Sequence, residues 1–285
     1  MAVAQFRPAS TVVLLRPSRA RFDVFLVRRS DAVAFMGGAH VFPGGRVDPD
    51  DRIADARAMA DGGEAAAARM PDVSPEHAVA HSVAALRELF EEAGVLLARR
   101  NGRIVTIDGD SPNRFAAHRH SLLAGTSSFA GILGAEGLRL ALDELTYFAH
   151  WVTPEIEIRR FDARFFVARA PEGQTPVHDE GETIDSEWLD PAEAIARARN
   201  EEIALPPPTW TTLSALAKFG SIDDVMQWAG RTPIPRVQPG FLRRGDETLV
   251  LYPGDPLYPA LEGFETPEDT RFELKNGRWR PVRPV

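Results

Sequence analysis

The feature that most constrains this chain is a helix-forming stretch over residues 74–94, which ends in the segment LRELFEEAG. Ser74 followed by Pro75 is typical of a helix start, because serine caps the first turn and proline suits the first helical position. Gly94 is typical of a helix end, since glycine adopts the left-handed conformation readily. The pattern therefore predicts one helix that begins after Ser74 and stops at Gly94.

The two sides of this predicted helix differ sharply in chemistry. A helix advances about 100° per residue, so Glu88, Glu91 and Glu92 share one face. Like charges so close repel each other, and a divalent cation with oxygen ligands, Mg²⁺ or Mn²⁺, would relieve the repulsion. A solvated acidic face, with Arg87 as a surface ion-pair partner, is the alternative reading. The opposite face is apolar and formed by Val79, Val83, Leu86, Phe90 and Ala93.

A glycine-rich stretch, GGAHVFPGGRVD at residues 37–48, lies about forty positions before the acidic segment at residues 86–94. Gly44 and Gly45 carry no Cβ, so their backbone can approach a phosphate or a metal ion closely. A tight turn would explain the same glycines. Taken together, the two stretches favour one site for metal and phosphate, interrupted by an insertion.

Apolar runs rich in β-branched and aromatic residues predict a sheet, and the remaining pattern predicts helices around it. The predicted strands cover 11–15, 22–27, 39–42, 148–153, 161–168 and 183–189. Helices are predicted at 191–202 and 209–219, and two or three short ones within 112–147. These alternations indicate an α+β protein with a mixed sheet.

Two regions are predicted to lie outside the catalytic core. Residues 52–75 are rich in Asp and Ala and read as a partly helical surface insertion. Residues 221–285 are rich in Pro and Gly and read as a C-terminal extension packed on a domain formed by residues 1–220. We expect little functional content in that extension, and we expect the insertion to contribute little to stability.

Composition excludes several classes of protein. The net charge of −8 argues against a general nucleic-acid binder, so an anionic small molecule would need a local basic lining or metal ions. With no cysteine, the chain has neither disulfides nor a thiolate nucleophile, which fits a cytoplasmic location. No apolar run is long enough to span a membrane, and the N-terminus lacks the pattern of a secretory signal. A homodimer is one of the oligomeric states compatible with the sequence.

Gly45, Asp51 and the run from Arg87 to Val95 together resemble the Nudix box, G-x5-E-x7-R-E-U-x-E-E-x-G-U, where U is bulky and apolar. The second half agrees at every specified position. In the first half, Asp51 replaces a glutamate, and 35 residues instead of seven separate it from Arg87. Both departures occur in the peroxisomal coenzyme A diphosphatases called Nudix-type motif 19. The resemblance to that branch continues to about residue 220 and implies the Nudix α/β/α sandwich.

A second pattern, Arg29-Ser30, Gly38 and Phe42-Pro43-Gly44-Gly45, resembles the coenzyme A signature R-S-x7-G-x3-F-P-G-G of related diphosphatases. Met36 stands where that signature usually has a histidine. The resemblance implies hydrolysis of the diphosphate of coenzyme A or its thioesters. It leaves two alternatives: a diphosphatase for ADP-ribose or a dinucleotide, and an inactive Nudix module that binds a nucleotide.

The resemblance also implies roles for particular residues. The metal ion, Mg²⁺ or Mn²⁺, would be held by Glu88, Glu91, Glu92 and the carbonyl of Gly45. The catalytic set would be Glu88, Glu91 and Arg87, with the arginine orienting a carboxylate through an ion pair. The general base would be Glu88 or a carboxylate of the loop at 178–182. The expected substrate-binding residues are Arg29, Gly38, Phe42, Gly44, Arg46 and Arg160. Further arginines expected to offer phosphate contacts are Arg28, Arg159 and Arg164.

Overall fold

A computed structural model describes residues 6–32, 36–52, 59–109, 111–154, 160–179, 181–245 and 247–284. Its strands are β1 Arg7–Pro17, β2 Phe22–Arg29, β3 His40–Val41, β4 Gly44–Arg46, β5 Ala60–Asp61, β6 Ala98–Arg100, β7 Arg103–Ile104, β8 Arg139–Ala141, β9 Thr146–Val152, β10 Phe161–Arg169, β11 Thr183–Leu189, β12 Arg236–Val237, β13 Gly240–Arg244, β14 Glu247–Leu251, β15 Arg271–Lys275 and β16 Arg278–Pro281. The helices are α1 Gly63–Arg69, α2 Pro75–Ala93, α3 Ser111–Leu123, α4 Phe129–Glu136, α5 Pro191–Arg199, α6 Pro207–Leu216 and α7 Ile222–Arg231, with 3-10 turns at Pro49–Asp51 and Leu142–Glu144.

An eight-stranded mixed sheet organises the molecule, with the order β11-β2-β1-β10-β9-β12. Strands β3 and β4 pair with β2 and β1, off this path. Strand β1 runs parallel to β10 and antiparallel to β2 and β4. The pairing of β4 with β1 brings the glycine-rich stretch to the centre of the sheet. There it faces helix α2, which packs across β1.

The central strands each contain a continuous apolar run because both faces of the sheet are covered. In β1, Val12 and Leu14 belong to one buried cluster, and Val13 and Leu15 belong to the other. This is the alternation expected when successive side chains point to opposite faces. Helix α2 covers the first face, and α5 to α7 with the C-terminal strands cover the second. The predicted α/β/α sandwich is confirmed.

Several elements differ from the sequence prediction. Gly44 and Gly45 lie in strand β4 and not in a turn, and the region expected to be only helical, 112–147, also contains β8. Strand β12 belongs to the main sheet although it lies beyond residue 220. The predicted domain boundary at residue 220 separates β12 from the other strands of the sheet to which it belongs. None of the helices in the described part of the chain has the length and hydropathy needed to span a bilayer.

The predicted surface insertion is more integrated than its composition indicates. Met70 is only 1% exposed and belongs to the main core, together with Ala60 of β5. Arg69 donates a hydrogen bond to the carbonyl of Thr232, which ties α1 to the end of α7. Residues 53–58 lie outside the described residues. Because residues 59–70 fill part of the core, we now expect their removal to destabilise the protein.

A buried polar network lies between helix α2 and the main sheet. Nδ1 of His81 lies 3.0 Å from Oγ of Ser10, and Nε2 lies 3.3 Å from Nη1 of Arg164. Arg164 also pairs with Asp162, which in turn contacts His150 at 2.6 Å. Since an arginine N–H can only donate, Nε2 of His81 accepts and its proton sits on Nδ1. Burial, reinforced by the charge of Arg164, lowers the pKa of His81 to about 4.

This depressed pKa predicts a pH-dependent stability. Unfolded His81 takes a proton below about pH 6.5, whereas the folded protein resists protonation until about pH 4. The stabilisation is therefore complete above about 6.5 and is lost as the pH falls toward 4, by up to about 3 kcal/mol. In His81→Gln, urea denaturation across this range should show a clearly flatter pH profile. His120→Gln, at an exposed position of α3, is the control, and equal profiles for both variants would contradict the assignment.

Candidate active site

Helix α2 positions the acidic residues, and its ends are fixed as the sequence predicted. The side chain of Ser74 accepts a hydrogen bond from the backbone N–H of His77, and Pro75 follows at the first helical position. Gly94 ends the helix in the left-handed conformation at φ 68°. The rotation of the helix is fixed by its apolar face, which packs into the main core. Leu86 and Phe90 therefore face the core, while the carboxylates face strand β4.

The guanidinium of Arg87 is the centre of the acidic cluster. Its Nε and Nη2 donate to the two carboxylate oxygens of Asp51 at 2.8 and 3.0 Å. Its Nη1 donates to Glu88 at 2.9 Å and to Glu91 at 2.8 Å. Nη2 also donates to the backbone carbonyl of Arg46 at 2.8 Å. One side chain thus joins the helix, the 3-10 turn and strand β4, and Asp51 pairs with it despite the 35 intervening residues.

The two glycines of β4 lie against the carboxylates of the helix. The backbone N–H of Gly44 donates to Oε2 of Glu92 at 2.9 Å. A Cβ placed on Gly45 would lie 2.4 Å from Oε1 of Glu88, and one on Gly44 would lie 2.5 Å from the carbonyl of Ser10. At Gly44 the colliding atoms belong to the backbone of β1, so glycine is required there by the close approach of two strands. At Gly45 the neighbour is the end of the Glu88 side chain, which a side chain at this position would displace.

The carboxylates are crowded and poorly compensated. Burial raises the pKa of Glu88 to about 7 and that of Glu92 to about 8. The pKa of Glu91 is also raised, mainly by burial, although Arg87 opposes the shift. One guanidinium shared among Asp51 and the glutamates leaves an excess of negative charge. Such a site gains free energy by taking up protons or a cation.

The donor set fits a hard divalent cation. Carboxylate oxygens on one helix face, with a backbone carbonyl nearby, are the ligands that Mg²⁺ and Mn²⁺ prefer. Glu88 and Glu91 are turned toward Arg87, and no three acidic or histidine side chains within the described ranges form a ready-made metal cluster. Cation binding would therefore require rotation of side chains away from Arg87. The ligand assignment of Glu88, Glu91, Glu92 and Gly45 stays a prediction.

A large cleft of about 1670 Å³ opens over the acidic cluster. It is lined by the three glutamates and by basic residues of β2 and β4, including Arg28, Arg29 and Arg46. Of the predicted substrate-binding residues, the cleft brings together Arg29, Gly38, Phe42, Gly44 and Arg46. Gly38 has φ 74°, and a Cβ there would meet Asp31 at 2.5 Å.

The structure places other predicted arginines away from the cleft. Arg160 is buried, and its guanidinium lies 3.9 Å from the centre of the ring of Phe6. It does not line the cleft, so its predicted contact with substrate is not supported. Arg164 is held in the buried network with Asp162. Arg159 lies outside the described residues.

Two carboxylates of the acidic loop at 178–182 have different roles. Asp179 accepts hydrogen bonds from the hydroxyl of Thr183 and from the backbone N–H groups of Thr183 and Glu182, the last two at 2.8 and 3.1 Å. Partial burial raises the pKa of Asp179, but these bonds outweigh it and lower the pKa, the hydroxyl bond most. Its carboxylate is therefore used to hold the loop. Glu182 lines the cleft, its side chain is 70% exposed, and it lies 3.8 Å from Arg29. Glu180 lies outside the described residues.

Sequence reasoning missed the residues that the C-terminal strands contribute to the cleft. Among them are Phe241, Tyr252, Leu274 and Trp279, whereas the helical segment 112–147 contributes Leu122 and Leu123. A local signal was present. Asn-Gly flanked by alternating apolar residues is a strong hairpin pattern, and Asn276 and Gly277 form the turn between β15 and β16 with φ 52° and 75°.

Comparison with known proteins agrees with this geometry. The family model described as the NUDT19 Nudix domain matches residues 60–216. The human protein named Acyl-coenzyme A diphosphatase NUDT19 is 31% identical over 319 residues, which cover 98% of this chain and 85% of that protein. The Putative nudix hydrolase 7 of Caenorhabditis elegans is 26% identical, over an alignment that covers 93% of this chain and 78% of that protein.

A solved structure supports the same family. The crystal structure of a NUDIX hydrolase from Alicyclobacillus acidocaldarius superposes with a TM-score of 0.66 at 26% identity. The superposition covers 79% of this chain and 97% of the chain in that crystal structure. This chain therefore belongs to the Nudix hydrolase family, and within it to the NUDT19 branch. The similarity to the human relative extends beyond residue 220, so the expectation that it ends there was wrong.

The buried pair of Arg87 and Asp51 should contribute strongly to stability. Asp51 is 1% exposed, and Asp51→Asn would break the paired hydrogen bonds to Arg87 by setting an amide N–H₂ against an arginine N–H in a buried site. We expect a loss of about 3 kcal/mol in the free energy of unfolding, measured by urea denaturation. The control is Asp23→Asn, which breaks a more exposed pair with Arg16 and should cost less than about 1 kcal/mol. Similar losses in both variants would contradict a central role for the Arg87 pair.

Proposed function

We propose that this protein is a divalent-metal-dependent diphosphatase that hydrolyses coenzyme A or acyl-coenzyme A to 3′,5′-ADP and (acyl-)phosphopantetheine. The observation that carries the proposal is the joining of the Arg87-centred carboxylate cluster to a long cleft with basic walls. The names of the relatives point to the same substrate class, since the human, chicken and Xenopus laevis proteins are named acyl-coenzyme A diphosphatases. The catalytic unit would be the Nudix fold of residues 1–220 together with β12 and the C-terminal strands that line the cleft.

Glu88, Glu91 and Glu92, with the carbonyl of Gly45, would hold Mg²⁺ or Mn²⁺. When bound, the cation would neutralise charge on the diphosphate and lower the pKa of a coordinated water. Arg87 would hold Asp51 and steer the glutamates without touching substrate. Gly44 fixes Glu92 through its N–H, so this carboxylate is oriented before any ligand arrives.

Basic side chains would bind the anionic substrate. Arg28, Arg29 and Arg46 line the cleft, so they supply the local positive charge that a chain of net charge −8 lacks overall. Arg28 is paired with Asp31 at 3.0 Å, whereas the exposed Arg46 is open to solvent. A guanidinium can bind a phosphate through two parallel hydrogen bonds. We therefore assign the phosphates of the substrate to this wall.

Two residues compete for the role of general base. Glu88 has a pKa raised to about 7 by burial, so it could accept a proton near neutral pH. Glu182 is the described carboxylate of the acidic loop that remains free to face the cleft, since Asp179 is occupied with holding the loop. If Glu182 is the base, Glu182→Gln should lower kcat by about 100-fold or more without weakening the binding of Mg²⁺.

Glu92→Gln tests the metal site with two readouts. We expect the rate to fall at least about 100-fold, because even residues that only support metal ligands contribute 10–100-fold. Without metal, in the presence of a chelator, Glu92 keeps its proton up to about pH 8 in the folded protein but only up to about pH 4.5 in the unfolded chain. The stability of the wild type therefore falls as the pH rises from about 4.5 to about 8. The variant should therefore be the more stable protein at pH 8 without metal.

Adding Mg²⁺ should reverse this order, raising the melting temperature of the wild type more than that of Glu92→Gln. Glu76→Gln is the matched control, since Glu76 is an exposed residue at the other end of the same helix. Near-normal activity of Glu92→Gln at limiting Mg²⁺, or an undiminished melting shift, would remove Glu92 from the metal site.

The substrate class is tested by identifying products with mass spectrometry. Coenzyme A, octanoyl-coenzyme A, ADP-ribose and NADH are compared with Mg²⁺ or Mn²⁺ and with chelator. We expect 3′,5′-ADP from the coenzyme A compounds, and 3′-dephospho-coenzyme A should be a poorer substrate by about 1.5–3 kcal/mol, because a charged contact is lost. Faster turnover of ADP-ribose would favour a nucleotide-sugar diphosphatase. Inactivity on every compound would favour a binding module.

A further inference from the structure

The C-terminal sheet carries an apolar face that the sequence did not reveal. Its order is β13-β14-β15-β16, and directly opposed residues lie on the same face. Val250 is opposed by Phe241 on one side and by Phe272 on the other, and Leu274 is opposed by Trp279. Residues two apart also share a face. One face of the sheet therefore presents Phe241, Val250, Tyr252, Phe272, Leu274 and Trp279.

Half of this face belongs to the protein core. Tyr252 and Phe272 are fully buried. The ring of Tyr252 contacts that of Trp151 edge to face at 5.5 Å, and the ring of Phe272 contacts that of Trp210 at 6.0 Å. These contacts fix the sheet against the main fold. The position of the remaining half is therefore determined by the packing of the first.

The other half of the face extends into the cleft above the acidic cluster. Phe241 and Trp279 are half-buried, and Leu274 is 36% exposed. All three line the same cleft as Glu88 and Glu92. The cleft thus has a charged floor from helix α2 and the main sheet, and an apolar wall from the C-terminal sheet. Its volume exceeds the 300–1000 Å³ that is typical for a small ligand.

We infer that this outer half, formed by Phe241, Leu274 and Trp279, binds the acyl chain of an acyl-coenzyme A and sets the preference for chain length. The inference rests on the proposed function. The phosphates and the amides of the pantetheine arm are polar, so they gain little from this wall. Adenine can stack on an aromatic ring such as Trp279, but it gains little from the aliphatic Leu274. An alkyl chain gains about fourfold in affinity for each CH₂ that it buries. The acyl chain is therefore the part of the substrate that matches this wall.

The test compares two leucines of the C-terminal region. Leu274→Ala shortens a side chain that lines the cleft, whereas Leu257→Ala shortens an exposed one, 52% accessible, that does not line it. We measure kcat/KM for coenzyme A, butanoyl-coenzyme A and octanoyl-coenzyme A. In Leu274→Ala the kcat/KM for octanoyl-coenzyme A, divided by that for coenzyme A, should fall about tenfold. The change should appear in KM, because the lost contact is made in the bound ground state. Leu257→Ala should keep the wild-type ratio.

Binding in EDTA provides a readout that is independent of turnover. Isothermal titration should show tighter binding of octanoyl- than of butanoyl-coenzyme A to the wild type, and Leu274→Ala should weaken that dependence on chain length. Trp279→Ala should do the same if it remains folded, as checked by its melting temperature. Absence of hydrolysis for every coenzyme A compound would defeat the proposed function, while the titration would still decide the present inference.

Three outcomes would overturn the inference. An unchanged chain-length ratio in Leu274→Ala would show that the wall does not contact the acyl chain. An equal loss on coenzyme A and on octanoyl-coenzyme A would show that the C-terminal sheet has a structural role alone. A change of molecular mass in solution for Leu274→Ala, with no change in substrate preference, would show that the apolar face contacts a second copy of the chain.

Discussion

Arg87 holds three segments of the chain together through one buried guanidinium. It binds Asp51 of the 3-10 turn with two hydrogen bonds, the carbonyl of Arg46 in β4, and the carboxylates of Glu88 and Glu91 on its own helix. A buried charge of this kind is stabilising only when each partner is present, because an unpaired ion in the interior is costly. The geometry of the acidic cluster therefore depends on the turn and the strand as much as on the helix.

The same arrangement explains why stability and function oppose each other in this region. One arginine cannot compensate all the carboxylates around it, so the pKa values of Glu88 and Glu92 rise to about 7 and about 8. The protein tolerates this repulsion because the opposite face of the helix is buried in the main core. Excess negative charge at the base of a cleft is what makes the site receptive to a divalent cation.

Much of the fold was predictable because it depends on local patterns. The ends of helix α2 follow from Ser74, Pro75 and Gly94, and the central strands follow from apolar runs that both faces of a sheet require. The composition of residues 59–70 was misleading, since it contains few large apolar residues and yet Met70 fills the core. Arg160 was also misplaced, because a sequence does not show whether an arginine faces a cleft or an aromatic ring.

The sequence by itself determined the acidic face of the helix, the glycines that must approach it, and the membership of the Nudix hydrolase family. These depend on the identity and spacing of neighbouring residues. The tertiary structure alone decided which atoms join Asp51 to Arg87 across the insertion, and that the C-terminal sheet forms one wall of the cleft. Contacts between residues far apart in the chain depend on how whole elements pack. Local periodicity contains no information about that packing, so the chemistry could be read from the sequence while the shape of the cleft could not.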